Sequence, residues 1–144
     1  MTKFDELADV TRILLEREMD KHRQSLEQSR RIAAELAQID GMREAAQADV
    51  GAITARQLLG ADTLWQGWMA RKRAEIQRRA ALARAQEGET LSRARLAFSR
   101  TQAAEALVKK ARDESLRKRA LSEADRIDAL GQLRRALDQQ EDLP

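Results

Sequence analysis

Residues 58–66 read Leu58-Leu59-Gly60-Ala61-Asp62-Thr63-Leu64-Trp65-Gln66, and this stretch decides the fold. A helix favours glycine just past its end, where the backbone turns left-handed at no steric cost to a residue without Cβ. Thr63-Leu64-Trp65-Gln66 then has the form of a capping box, in which the hydroxyl accepts from a first-turn backbone N–H. A stop and a start so close predict a turn over residues 60–62, within the two to five residues that usually join antiparallel helices. A second candidate turn lies near Gly51.

Outward from that turn the chain reads as helix in both directions. Residues 1–40 and 89–130 contain neither Gly nor Pro, and the single proline is Pro144. Thr2-Lys3-Phe4-Asp5 forms an N-terminal cap, so helix one is expected over residues 3–59 and helix two over 63–138, with a frayed tail at 139–144. Alternating steps of three and four run through Leu15, Met19, His22, Leu26, Ser29, Ala33 and Leu36. Trp65, Met69, Lys72, Ile76, Arg79 and Ala83 continue the rhythm in helix two, and Leu116, Ala120, Ile127, Leu130 and Leu137 share a later face. The expected fold is all-α, a single elongated domain over 1–144 built as an antiparallel coiled-coil hairpin. Folding back at residue 61 sets Ile53 near Met69 and Ile32 near Leu91, and makes helix two overhang by the level of Leu121.

Composition supports this architecture. The chain of 144 residues has 26 alanines, 18 leucines, 27 Lys+Arg and 13 glutamates, above the level of about half that marks long helices and coiled coils. Its aromatic residues are Phe4, Trp65, Trp68 and Phe98, too few for a large compact core. The N-terminal acids do not fit a signal peptide, and the longest uncharged run, residues 63–70, is far short of the about 20 apolar residues of a membrane span. A cytoplasmic location is expected.

The sequence offers no catalytic, cofactor or metal site. There is no cysteine, the lone His22 sits among helix-surface charges, and the serines lack an oriented base. No glycine-rich phosphate loop occurs. Adjacent carboxylates such as Asp5-Glu6 lie about 100° apart around a helix and do not converge. Charge is uneven: residues 71–119 hold 15 basic and 6 acidic side chains, whereas the first 70 residues hold 9 basic and 12 acidic. Either the two helices complement each other across flanking positions and the remaining charge is solvated, or the second helix presents a basic stripe to an acidic surface of protein or nucleic acid. Its doublets Arg78-Arg79 and Lys109-Lys110 form no continuous row and have no interleaved aromatics, so nucleic acid is not the expected partner. Trp65 and Trp68 just after the turn either pack the hairpin tip or anchor a partner.

The late stretch Leu116-Arg-Lys-Arg-Ala-Leu-Ser-Glu123-Ala-Asp-Arg126-Ile-Asp128-Ala-Leu130 resembles the bacterial flagellar export protein FliJ family and its counterparts in type III secretion. That family carries a basic cluster, a Glu and then an Asp near its C-terminus, matched here by Arg117, Lys118, Arg119, Glu123 and Asp128, with Ala129 where a second acid often follows. Residues 94–100 and 107–112 are also similar to the run that precedes it. The resemblance implies a non-enzymatic coiled-coil stalk for flagellar biosynthesis and motility or type III protein export. It also implies engagement of a hexameric export ATPase, contact with an export-gate membrane protein and export chaperones, and peripheral association with the inner-membrane apparatus. Arg117, Lys118, Arg119 and Arg126 would meet acidic loops of the ATPase ring, and a monomer is expected. The alternatives are a generic coiled-coil scaffold or adaptor, and less plausibly a basic nucleic-acid-binding helical protein.

Overall fold

The computed structural model describes residues 2–141, which are α-helical except for Thr2, Asp49, Leu59 and Gly60. Helix α1 spans Lys3–Ala48, α2 Val50–Leu58 and α3 Ala61–Glu141, and the protein is all-α. α1 starts behind a reciprocal cap. The Thr2 backbone N–H donates to the Asp5 carboxylate at 2.8 Å, and the Asp5 N–H donates to the Thr2 hydroxyl oxygen at 3.4 Å. The Thr2 N–H, which would otherwise lack a partner, is thereby satisfied, and the Asp5 N–H also donates to the Thr2 carbonyl at 3.1 Å.

The first helix does not continue to residue 59. It breaks at Asp49, whose carbonyl accepts the Ile53 N–H at 3.0 Å and opens α2. Aspartate is among the best helix-starting residues. Its Oδ1 lies 3.8 Å from where a Cβ on Gly51 would stand, so the carboxylate reaches over the first turn it starts. α2 then ends at Gly60, whose φ of 70° is the left-handed conformation that favours glycine. The Gly60 N–H donates to the Gln57 carbonyl at 3.2 Å. α3 begins directly afterwards at Ala61, not at Thr63, because Gly60 serves as the end of one helix and the start of the next. Gln66 accordingly donates to Asp62, at 3.0 Å. At the other end α3 continues through residues 139–141, expected to be frayed, while 142–144 lie outside the described residues.

The described chain divides into two compact units, residues 12–99, and residues 2–11 with 100–141. In the first unit α1 and α3 run in opposite directions. Asp40 meets Arg73, Glu35 meets Arg79 and His22 meets Thr90, so numbers fall along α3 as they rise along α1. This packing is consistent with a hairpin. These pairings reverse the chain near residues 56–57, not at 61, because the break at Asp49 and the short α2 belong to the reversal. Ile32 therefore clusters with Ile76 and Ala83, not Leu91.

The main sheltered line alternates steps of four and three and lies one residue away from several expected positions, while the expected Leu26 and Lys72 are half-buried beside it. On α1 the residues of this line are Leu15, Glu18, His22, Ser25, Ser29, Ile32, Leu36 and Ile39, with Glu35 and Asp40 also half-buried at its flank, and the expected Met19 is 42% exposed. On α3 they are Met69, Arg73, Ile76, Ala80, Ala83, Glu87, Thr90, Ala94 and Ala97, with Arg79 outside the seam. Choosing the most apolar residue at each step misplaces the line wherever the buried position holds Ser25 or Glu18. Ile32, Ile39, Met69 and Ile76 form the apolar centre, each worth roughly 1.5–3 kcal/mol when buried.

In the second unit Ala8, Thr11, Thr101 and Ala104 are buried. Small side chains permit close approach, and the Thr101 hydroxyl donates to the Thr11 carbonyl at 3.2 Å. Thr11 donates its own hydroxyl to the Ala8 carbonyl at 2.8 Å. Beyond Ala111, every residue of α3 to Glu141 is exposed except Gly131, which is half-buried. The overhang thus begins near residue 112, earlier than the expected level of Leu121. Among the described residues, no helix is long and apolar enough to cross a membrane.

Candidate functional site

Two regions offer exposed chemistry, one in each unit. In residues 12–99 it is the turn. α1 has no basic residue in its last turn to meet its unpaired carbonyls. Arg56 of α2 supplies that function by donating to the Ala46 carbonyl at 3.1 Å. The same guanidinium lies 3.5 Å from Asp62 in the first turn of α3 and 5.2 Å from the centre of the Trp65 ring. One side chain thereby ties three helices together through a carbonyl, a carboxylate and an aromatic face. Beneath it is a cleft of about 290 Å³, lined among others by Ile39, Ile53, Trp65 and Met69.

The two tryptophans separate here. Trp65 is half-buried against the apolar centre, and Trp68 is 46% exposed beside Arg71, Lys72 and Arg78. Trp65 is a tip-packing residue, and Trp68 is the one left accessible.

Two ion pairs join α1 to α3, one of them through Arg73, which also lines this cleft. Arg79 donates to both Glu35 oxygens, at 2.7 and 3.2 Å, and Arg73 Nε donates to Asp40 at 2.8 Å. These hydrogen bonds hold the Glu35 and Asp40 carboxyls below their ordinary range and raise the two guanidiniums. The pairs are exposed enough to act more in fixing register than in adding net stability. Arg56, Asp40 and Glu35 were not singled out by the sequence reading. The available signals were opposite charges at positions flanking the buried line, readable only once register is known.

The second region is residues 112–141 of α3. Arg117, Lys118, Arg119, Glu123, Arg126 and Asp128 are all exposed there, on a single helix. At about 100° per residue, Arg119, Glu123 and Arg126 share one face, Arg117 and Asp128 the opposite one, and Lys118 lies about 100° from the first. The fold gathers three of the six on one line and spreads the rest around it. Trp65 and Trp68 belong to the other unit. Among the described residues, no group of three or more His, Cys, Asp or Glu side chains is placed to hold a metal ion.

No protein-family model, curated protein or solved structure matches this chain.

Proposed function

We propose that the chain is a non-enzymatic component of a flagellar or type III protein-export apparatus. In this reading it is an antiparallel coiled-coil stalk, cytoplasmic and peripheral to the inner membrane, that engages a hexameric export ATPase and an export gate and assists delivery from chaperones. The reading rests on the resemblance of residues 116–130 to that family. One structural observation supports it: the same residues lie on the exposed part of α3, beyond the start of α1 in their unit. The burial alternation of four and three on both helices supports the coiled coil.

The chemistry suits such a role. The exposed segment mixes both signs of charge and holds no aromatic side chain, so the contacts of its charged faces are shallow and exchangeable. Arg117, Arg119 and Arg126 offer planar forks to carboxylates, and Lys118 a point charge. Reversing Arg117, Lys118, Arg119 and Arg126 to Glu is expected to abolish co-sedimentation with the export ATPase while the circular dichroism of the chain stays helical. Binding that survives the four reversals would remove this surface from the interaction.

A further inference from the structure

The exposed part of α3 carries a line of its own. Leu116, Ile127, Leu130 and Leu137 are 57%, 68%, 66% and 63% exposed, and with Ala120 they occupy positions of one face at alternating steps of four and three. Only two steps between Leu116 and Leu137 break it, Glu123 and Arg134, and they are opposite in sign. The line spans residues 116–141, more than three heptads, the length at which such a seam sustains a coiled coil.

We propose that this face pairs with the same face of a second copy of the chain, antiparallel, about a two-fold axis between Asp128 and Ala129. The interruptions select that arrangement. When Ile127 faces Leu130 of the second copy, Ala120 falls opposite Leu137 and Glu123 falls opposite Arg134, so the two charges that interrupt the line meet each other, and at the rim Leu116 falls opposite Glu141. The flanks agree: Arg117 stands beside Asp138 of the second copy, and Ala124 beside Gly131, two small residues that let the backbones approach. A parallel pair would instead stack Glu123 on Glu123 and Arg134 on Arg134, which repel. A two-fold contact is self-complementary and closes after two chains, so no filament follows.

This inference stands apart from the export reading, and it departs from the expectation of a monomer. The pairing covers Glu123 and flanks Arg117, Arg119 and Arg126, so the paired form would withhold the proposed ATPase-binding face.

Sedimentation equilibrium of the purified full chain, with no ATPase present, tests it. The mass should rise with concentration from 16.3 kDa toward twice that value. Glu123→Arg should weaken pairing at least about tenfold, because a two-fold interface contains that layer twice, and Glu123→Arg with Arg134→Glu should return it to within about threefold of the original. Helicity by circular dichroism should be equal in all three chains. A chain that remains monomeric into the submillimolar range overturns the proposal. So does a Glu123→Arg chain that pairs as tightly as the original, or a double exchange as weak as the single.

Discussion

Ser29 places its hydroxyl in the buried line between α1 and α3 without a hydrogen-bond partner among the described residues. A sheltered hydroxyl that forgoes water and gains nothing in return is destabilising. Ser29→Ala should therefore raise unfolding stability by about 1 kcal/mol. The urea midpoint should move upward at constant m-value, and an unchanged or lower midpoint would show the hydroxyl to be satisfied. His22 differs, since its Nδ1 lies 2.9 Å from the Thr90 hydroxyl and the pair shares its polarity across the seam. The ion pairs make a pH prediction whose sign follows from their direction. Glu35 and Asp40 have depressed folded-state pKa values, so the folded chain binds fewer protons than the unfolded one. Their contribution is complete above the ordinary carboxylate range and fades as pH falls below about 4. The Tm gap between the original chain and Glu35→Gln/Asp40→Asn should close on acidification, and a gap independent of pH would contradict the assignment.

At the scale of elements, the reversal depends on Arg56. Arg56→Ala removes a charged hydrogen bond to the Ala46 carbonyl and the contact with Trp65, and should cost about 1–2 kcal/mol. Hydrogen exchange should quicken in the last turn of α1 and in α2 while residues 101–104 keep their protection. Uniform quickening would mean that the turn unfolds only with the whole. Much of this architecture was legible beforehand. Gly60 announced its position because a left-handed residue after an apolar helix end is a local requirement, and long stretches without Gly or Pro announced the helices. The break near residue 49 had one signal, Gly51, the second candidate turn, but Asp49 was not legible as the residue that opens α2, since an aspartate in a helical sequence is common. The register was misjudged for a related reason: a local stop signal locates a turn, but the extra short helix that consumes residues 50–58 shifts every pairing downstream. Ser25 and Glu18 were overlooked as seam positions because patterns were followed through apolar side chains, whereas the geometry shelters whatever residue the alternation reaches. The line on residues 116–141 was only partly visible, as its sense appears when Glu123 and Arg134 are read as a pair.

For the whole molecule, the packed contacts and the exposed helix fall in different residues. Residues 12–99 hold the reversal, the apolar centre and the interhelical ion pairs, while residues 112–141 expose a helix whose charges and apolar line face solvent. The exposed charges Arg117, Lys118, Arg119 and Arg126 are left free of packing within their unit, and they are the ones proposed to engage an export ATPase. The most direct test is co-sedimentation of the purified chain with an assembled hexameric export ATPase, with the bound stoichiometry measured. The account predicts saturation at one chain per hexamer, lost on reversal of those four charges. A chain that stays in the supernatant at every ATPase concentration, or binds in proportion to each ATPase subunit, would contradict the stalk reading.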